Sequence, residues 1–264
     1  MKIHYGKDAI GVYRTDGSGS LWGAEVRLDV FGSNFEPAYT EGDNSMVIAT
    51  DSMKNFVHAV AGDYDGDSLE GFAELVGRTF LARYEHVERV GVRARERPFA
   101  RLSGVLYQRL GADYSVVELT VDRDGVSKHC CGRERLELVK ITGSSFAGFA
   151  RDEFTTLQEQ RDRPLFVRLD VHWRHGNWER RVASDQVRAC VVESFDDFVS
   201  RSIQHLVHEI GSRALVRFPE LAEISFRAEN RLWETAEAPA EREGPVVYTD
   251  PRPPVGLITL TLAR

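Results

Sequence analysis

The chain has 264 residues, of which 42% are hydrophobic and 28% are charged, and this composition suits two packed domains of ordinary size or one large domain. A formal net charge of −7 argues against a broad nucleic-acid footprint, and no apolar run reaches the ~18 residues of a membrane span. We therefore expect neither nucleic acid nor a membrane as a partner. Three cysteines without CxxC spacing argue against a disulfide framework and a zinc site, and the N-terminus lacks the apolar core of a signal peptide, so a reducing cytosol is the expected compartment.

The first predicted element is a β-hairpin over residues 9–31. Apolar and polar residues mostly alternate along two segments, and the turn-forming cluster TDGSGS, Thr15–Ser20, separates them. A further strand is predicted at Met46–Ala49, because four apolar residues follow a polar stretch. Thr50 and Asp51 stand where this strand is expected to end, and a helix is predicted to follow them.

Helical spacing comes next in the chain. Ser68 is a candidate N-cap, and the apolar residues after it recur every three or four positions, which predicts an amphipathic helix. A longer amphipathic helix is predicted over Phe195–Phe218. Further strands are predicted at residues 87–97, Tyr114–Asp122, Leu136–Ile141, Pro164–Trp173 and Gly256–Leu262, and a polar loop is predicted at Glu237–Gly244.

The two halves of the chain carry a similar pattern. Residues 84–95 align with residues 218–229 at a constant offset of 134 (218 minus 84). Both segments begin with an aromatic residue, have three apolar residues at alternate positions and carry Arg-Ala near their ends. This repeat predicts two similar antiparallel α+β units in tandem, over residues 1–133 and 134–264.

Common catalytic motifs are missing from the sequence, which has no phosphate-binding loop, dinucleotide glycine fingerprint, HExxH or GxSxG. Residues 62–67, GDYDGD, are similar to a calcium loop but lack its glutamate, so a solvated turn is the favoured interpretation. His205 and His208 lie about one helical turn apart. Without a third ligand in view, a surface or interface pair is favoured over a metal site.

The remaining candidates are polar and aromatic residues near the predicted ends of elements. Each taken alone is more typical of a cap, a packing residue or a solvated side chain than of a catalyst. The candidates are Lys7 before the first strand, Thr50 and Asp51 at a strand end, Phe146 in a glycine-rich segment, Arg163 before a strand, Gln204 on the long helix and Asn230 at a strand end.

Blocks of sequence that contain these candidates together resemble the cofactor-free urate oxidases, the uricases. The blocks follow the family's order over nearly the whole chain, and the parts GDNS–ATDSMKN and DEFTTL–DR are specific. The blocks are YGKDAIGVYR, AYTEGDNSMVIATDSMKN, GFARDEFTTLQEQRDR, the segment Ser202-Ile203-Gln204 and the closing GLITLTL.

The resemblance implies the tunnelling fold (T-fold), an α+β fold whose antiparallel sheets carry helices on one face and assemble into a multimeric barrel. It also implies a homotetramer with active sites between subunits, where one subunit supplies a lysine and a Thr-Asp pair and its neighbour supplies a substrate clamp. The expected partners are a small purine and O2. Neither a cofactor nor a metal is expected.

By the same resemblance, the clamp is expected to hold a flat oxopurine. Phe146 would stack on the ring, while Arg163 and Gln204 would hydrogen-bond its pyrimidinedione edge. The remaining substrate-binding residues are expected to be Leu157 beside the ring, the Ile203 backbone and the backbone N–H of Asp51 on the imidazole side.

The implied reaction is hydroxylation of urate by O2 to 5-hydroxyisourate, with release of H2O2. An electron-rich urate dianion can give up an electron to O2 without a metal or flavin, so the protein has to move a proton, place O2 and stabilise charge. Lys7 and Thr50 would form the proton relay, and Thr50 with Asn230 would mark the O2 site.

One position departs from the family pattern. In the family, this asparagine is followed by any residue and then by a relay histidine, whereas this chain reads Asn230-Arg231-Leu232. Leucine can neither donate nor accept a proton. Either water and the Lys7–Thr50 pair suffice, another histidine reaches the site, or the reaction has changed. The retained clamp residues argue against simple decay of function.

Three other functions stay open. An enzyme of the same fold could act on another oxopurine or a specialised-metabolite intermediate, and Leu232 favours this alternative. A non-catalytic purine-binding or structural homologue would bind urate without turnover. A pterin-processing enzyme of the same fold generally needs a zinc or a catalytic glutamate, and no metal-ligand set is visible in the sequence.

Overall fold

The structure is a computed structural model that describes residues 3–16, 18–111, 113–236 and 246–264. The chain divides into two compact units, which are Met1–Arg133 with Asn177–Arg180, and Glu134–Gly176 with Arg181–Arg264. The loop predicted at Glu237–Gly244 lies outside the described residues. None of the helices in the described part is long and apolar enough to cross a membrane.

The longer elements of the first unit follow the order strand, strand, helix, helix, strand, strand. Its elements are β1 (His4–Thr15), β2 (Leu21–Phe31), a 3-10 turn (Ser33–Phe35), α1 (Glu36–Thr40), α2 (Thr50–Asp63), α3 (Leu69–Arg83), β3 (Arg89–Glu96), β4 (Phe99–Arg101), β5 (Tyr107–Arg109), β6 (Tyr114–Asp122) and the start of β7 (Gly125–Lys140). The sheet order is β1-β2-β3-β6-β7, with antiparallel pairing from β1 to β6, and β4 and β5 form a separate hairpin.

The second unit repeats this order. After β7 come β8 (Leu165–His175), α4 (Ser184–Asp197), α5 (Ile203–Arg217), β9 (Leu221–Asn230), β10 (Glu234–Thr235), β11 (Tyr248–Thr249) and β12 (Gly256–Ala263). Its sheet has the order β7-β8-β9-β12, in which β9 pairs antiparallel with both β8 and β12, and β10 and β11 form a small hairpin. The predicted pair of antiparallel α+β units is therefore observed.

In each unit, apolar side chains from one face of the sheet pack against a helix. In the first unit, α3 lies on β3 and β6, while in the second α5 lies on β9 and β12. The opposite face is polar: Arg93 and Arg95 alternate with buried Val92 and Ala94 along β3. Alternation with period two places the apolar residues of a strand on one face, which is why the sequence pattern predicted these strands.

The internal repeat holds at the level of single residues. The two longer helices of the first unit recur in the second at the offset of 134 found in the sequence, so that α2 corresponds to α4 and α3 to α5. Two glycines occupy matching places on these helices. A Cβ on Gly77 would lie 2.6 Å from Val121, and one on Gly211 would lie 2.7 Å from Leu262, so each glycine allows a close approach of helix and sheet.

Two predicted elements are wrong. Met46–Ala49 is a loop and not a strand, and Thr50 and Asp51 form the first turn of α2. The loop is held by side chains and not by a neighbouring strand, since the Ile48 N–H donates to the Tyr5 hydroxyl at 2.8 Å. A run of four apolar residues is compatible with several structures, so the pattern alone did not distinguish this loop from a strand.

The helix predicted over Phe195–Phe218 is in fact parts of two helices, α4 and α5. The chain is extended at Phe198 and pairs with another segment at Ser200 before Ser202 starts the next helix. Hydrophobic spacing continued across the break, so the pattern alone did not reveal it. Lys7 also lies inside β1 and not before it.

Candidate functional site

A small pocket in the second unit collects residues from four parts of the chain. Its cavity of about 130 Å³ is lined by Phe146, Leu157, Arg163, Ile203, Gln204, Asn230, Leu232 and Ile258. These include every candidate from this half of the chain. Because they are separated by up to 112 positions in the sequence, folding and not local sequence brings them together.

Phe146 is held by backbone pairing within the long connection between β7 and β8. Its N–H donates to the Gln160 carbonyl at 2.8 Å, and the Gln160 N–H donates back at 3.0 Å. Its ring stacks on Phe149 with centroids 4.9 Å apart and an angle of 12°. The half-buried ring of Phe146 is thereby fixed as one wall of the pocket, a surface suited to a planar aromatic ligand.

Arg163 is buried, with only 8% of its surface exposed, two residues before β8. Its guanidinium carbon lies 5.5 Å from the centre of the Phe146 ring, and its Nε has no hydrogen-bond partner in the described residues. Burial lowers the pKa of Arg163. A buried cation with an unused donor is costly unless a ligand pairs with it, so the arrangement is prepared for an acceptor-rich partner.

Ile203 and Gln204 are the first two residues of α5. The side chain of Ser202 caps this helix by accepting from the His205 N–H at 3.1 Å. The first N–H groups of a helix have no partner within the helix. The cap therefore starts α5 at two residues that line the pocket, and the Gln204 side chain is exposed.

Asn230 and Leu232 close the pocket at the end of β9. The Asn230 Oδ1 atom is buried and lacks a hydrogen-bond partner in the described part of the chain. Leu232 is 39% exposed and presents an apolar side chain two residues later. Ile258 of β12 also lines the pocket, and sequence reasoning missed it because one apolar residue among alternating ones carries no functional signal.

A larger cavity of about 530 Å³ adjoins this pocket. It shares Leu157, Arg163 and Leu232 with the pocket, and the aromatic residues Trp233 and Tyr248 line it further out. The rings of these two aromatic residues lie 5.5 Å apart. Leu232, like Leu157 and Arg163, therefore lines both cavities.

The other candidates lie in the first unit. Lys7 is half-buried beside a β-bulge, because Lys7 pairs with Leu28 and Ile10 pairs with Val26, which leaves two residues opposite one. Ala9 in this bulge has a φ of 56°. Bulges redirect side chains and are common next to functional sites.

Thr50 and Asp51 begin α2, whose N-terminus has no side-chain cap. Their N–H groups therefore have no partner within the helix. The exposed Asp51 carboxylate accepts from Lys54 at 2.5 Å, and this hydrogen bond is the largest cause that lowers the pKa of Asp51; the charge of Lys7 contributes as well. The charge of Lys7 therefore favours the ionised form of Asp51.

No group of three or more His, Cys, Asp or Glu side chains in the described residues is arranged to hold a metal ion. His205 lies against the Phe198 ring at 4.7 Å, and His205 and His208 are both exposed on α5. The described residues that line the small pocket include no histidine.

Comparison with known proteins identifies relatives of one kind. A family model for uricase matches residues 3–116 and 129–259. The chain is 38% identical to a uricase of Haloferax volcanii over 95% of each protein. It is 37% identical to the uric acid degradation bifunctional protein of Bacillus sp. (strain TB-90), where the match covers 92% of this chain and 53% of the relative. The chain thus spans about half the length of that bifunctional protein.

The fold is shared with solved structures. A crystal structure of the urate oxidase of Bacillus sp. TB-90 superposes with a TM-score of 0.90 at 35% identity, covering 99% of both chains. A uricase from Arthrobacter globiformis gives a TM-score of 0.89 at 28% identity, covering 100% of this chain and 94% of the other. The predicted fold class, tandem antiparallel α+β units of the T-fold kind, is confirmed.

Proposed function

Because this chain belongs to the uricase family, we propose that it acts as a urate oxidase that converts urate, O2 and water to 5-hydroxyisourate and H2O2. In this reaction urate gives two electrons to O2, which leaves as H2O2. Water supplies the hydroxyl group that is added to the ring.

The observation that carries the proposal is the pair of unpartnered polar atoms in one small pocket. Arg163 Nε offers a donor and Asn230 Oδ1 offers an acceptor; both atoms are buried and have no partner among the residues that the structure describes. A urate ring stacked on Phe146 has carbonyl acceptors and ring N–H donors along its edge, as the Arg163 fork and the Gln204 amide require. Buried polar groups without partners are rare, and a bound ligand would supply the missing hydrogen-bond partners.

Binding in this manner serves the chemistry in two ways. The buried Arg163 cation stabilises the anionic form of urate, which is the form that gives up an electron most easily. Lys7 and Thr50 would take and pass the proton that this ionisation releases, and Thr50 with Asn230 would hold O2 above the ring. These roles rest on the family resemblance.

We also propose a homotetramer in which Lys7, Thr50 and Asp51 of one subunit complete the clamp of a neighbouring subunit. Two inactive variants test this arrangement. Lys7→Ala and Arg163→Ala chains are co-expressed, and activity should reappear at up to about a quarter of the wild-type sites, because one site in four pairs two intact halves. An active site within one chain would give no recovery. Light scattering of the wild-type protein measures the subunit number.

The test of the activity is O2 uptake by the purified, chelator-treated protein with urate, with H2O2 measured in parallel. Uptake with an equal amount of peroxide supports the proposal. No uptake, while urate still binds, would contradict it.

The expected compartment, a reducing cytosol, stays a prediction that fluorescence microscopy of a tagged chain can check.

A second candidate is oxidation of a different oxopurine, and Leu232 is the observation that favours it. This residue removes the proton-transfer group of the family and borders the cavity of about 530 Å³ that continues beyond the clamp. An oxopurine with a substituent on the ring would place that substituent against Trp233 and Tyr248. A panel of substituted oxopurines in the same O2-uptake assay separates the two candidates.

A further inference from the structure

The clamp residues are carried by three irregular segments, 142–146, 160–163 and 200–204. The middle of the first segment pairs with both of the others: the Arg163 N–H donates to the Ser144 carbonyl at 2.9 Å, and the Ser145 N–H donates to the Ser200 carbonyl at 2.9 Å. The buried Ser200 hydroxyl also donates to the Ser144 hydroxyl at 3.3 Å. The positions of Phe146, Arg163 and Gln204 therefore depend on how these segments are joined.

One carboxylate joins two of the segments at their outer end. Asp162 accepts from the Thr142 hydroxyl at 2.6 Å with one oxygen and from the Gly143 N–H at 2.8 Å with the other. Gly143 has a φ of +78°, a left-handed conformation in which the chain turns from β7 into the segment of Phe146. Asp162 thus fixes this turn from the segment that also carries Arg163.

The same two hydrogen bonds keep Asp162 from its charged neighbour. Asp162 precedes Arg163 directly, yet both of its oxygens are engaged by Thr142 and Gly143, and Arg163 Nε stays without a partner among the described residues. A carboxylate released from this turn could pair with the guanidinium and compete with a ligand. The hydrogen bond from Thr142 is the largest cause that lowers the pKa of Asp162, so the group is an anion at neutral pH.

We propose that Asp162 is a positioning residue of the oxopurine clamp, which holds the Phe146 segment against the Arg163 segment and keeps the Arg163 guanidinium open to the ligand. This inference rests on the proposed function, because it assigns a role to a residue that touches the clamp and not the substrate. It concerns binding, and it holds whether or not urate is turned over.

The variants that test it differ in what they remove. Asp162→Asn keeps the size of the side chain but removes its charge. Only the amide oxygen of asparagine can accept, so one of the two hydrogen bonds is lost. Thr142→Val keeps the carboxylate and removes one donor. Asp152→Asn is the matched control, since Asp152 caps a turn in the same connection by accepting from Thr155 at 2.9 Å but joins no two clamp segments.

The first readout is the Kd for xanthine, which presents the same pyrimidinedione edge as urate. Asp162→Asn should weaken xanthine binding by about tenfold or more, because charge-assisted hydrogen bonds are lost, and Thr142→Val should weaken it by less. Asp152→Asn should stay within about twofold of the wild type, because Asp152 holds a turn that joins no two clamp segments. The Tm of Asp162→Asn should fall by no more than about 3 °C.

The second readout is the division between KM and kcat for urate. A positioning role should raise KM by a larger factor than it lowers kcat. The inference would be overturned by wild-type xanthine affinity in Asp162→Asn, by an equal loss in Asp152→Asn, or by a fall in kcat with KM unchanged. A wild-type protein that binds xanthine but does not oxidise urate would contradict the proposed function alone, since the xanthine comparison still decides the role of Asp162.

Discussion

Ser68 and Ser202 cap two different helices in the same way. Each serine accepts a hydrogen bond from the backbone N–H three residues later, at 3.1 Å in both cases, and the two serines are 134 residues apart (202 minus 68). The helices they begin, α3 and α5, also end alike, since Tyr84 and Phe218 donate at 3.0 Å to the carbonyl four residues back. Only the second of these helices carries clamp residues in its first turn.

This pair provides an internally matched experiment. Ser68→Ala and Ser202→Ala should each cost about 1 kcal/mol of stability, because each removes one helix N-cap. Ser202→Ala should also weaken xanthine binding several-fold, since Ile203 and Gln204 follow the cap directly. Thermal unfolding and xanthine titration check both effects. Equal xanthine affinity in the two variants would contradict the placement of Ile203 and Gln204 in the binding site.

Arg163 should be the most sensitive residue of the clamp. Arg163→Ala removes two charge-assisted hydrogen bonds to the ligand, so oxopurine affinity should fall about 100-fold or more. Arg163→Lys keeps the charge but loses the planar fork, and it should restore only part of that affinity. Arg109→Ala, an exposed arginine of the first unit, is the control. Calorimetric titration with xanthine measures all three, and unchanged affinity in Arg163→Ala would exclude the clamp.

Leu232→His tests the departure from the family pattern. A histidine at this place would add a group that can exchange a proton near neutral pH, and general acid–base catalysis contributes about 100-fold or more where geometry permits. We expect urate turnover to rise at least about tenfold and to acquire a pH dependence near about 6.5. Leu232→Gln is polar but cannot exchange a proton in this range, so it should give no such gain. Equal rates in the two variants would point to another proton path or another substrate.

Gly77 and Gly62 lie on helices of the same unit and should respond oppositely to alanine. A Cβ on Gly77 would meet Val121 at 2.6 Å, whereas no atom in the described part of the chain lies within 4 Å of a Cβ on Gly62. Gly77→Ala should therefore destabilise the protein by about 1–3 kcal/mol through overpacking. Gly62→Ala should stabilise it by up to about 1 kcal/mol, because alanine favours the helix. Denaturant unfolding measures both, and a stabilising Gly77→Ala would contradict the close helix–sheet contact.

Asp16 should make the turn after β1 sensitive to acid. The Ser20 hydroxyl donates to this carboxylate at 2.6 Å and the Ser18 hydroxyl at 2.7 Å, and these hydrogen bonds lower the pKa of Asp16, with that from Ser20 the larger cause. The pKa of Asp16 is lower in the folded protein than in the unfolded chain, so its ionised form stabilises the fold at pH values above the unfolded pKa of about 3.9. This contribution is lost as the pH falls toward the folded pKa.

The measurement is the Tm of the wild type and of Asp16→Asn as a function of pH. The difference between them should stay constant from about pH 8 to about pH 5 and shrink below about pH 4. Ser20→Ala should reduce the difference at neutral pH, because it removes the strongest donor. A difference that shrinks on the alkaline side would contradict this account.

Local sequence patterns predict much of the architecture. Period-two alternation located the long strands, Ser68 marked the start of α3, and the offset of 134 between two short segments predicted the tandem units. These signals are readable because side-chain direction is periodic within an element and because a cap needs a particular side chain at a particular place. Resemblance of several ordered blocks to one family then predicted the candidate residues, including the departure at Leu232.

The tertiary structure decided what no local pattern specifies. Hydrophobic spacing runs through Phe198 without interruption, and only the pairing at Ser200 shows that the helix breaks there and that Gln204 stands at a helix start. Likewise, Arg163 and Asn230 look like ordinary surface residues until burial leaves one polar atom of each without a partner. Burial and pairing are long-range properties, because they depend on which segments meet in space, and a sequence pattern describes only neighbours along the chain.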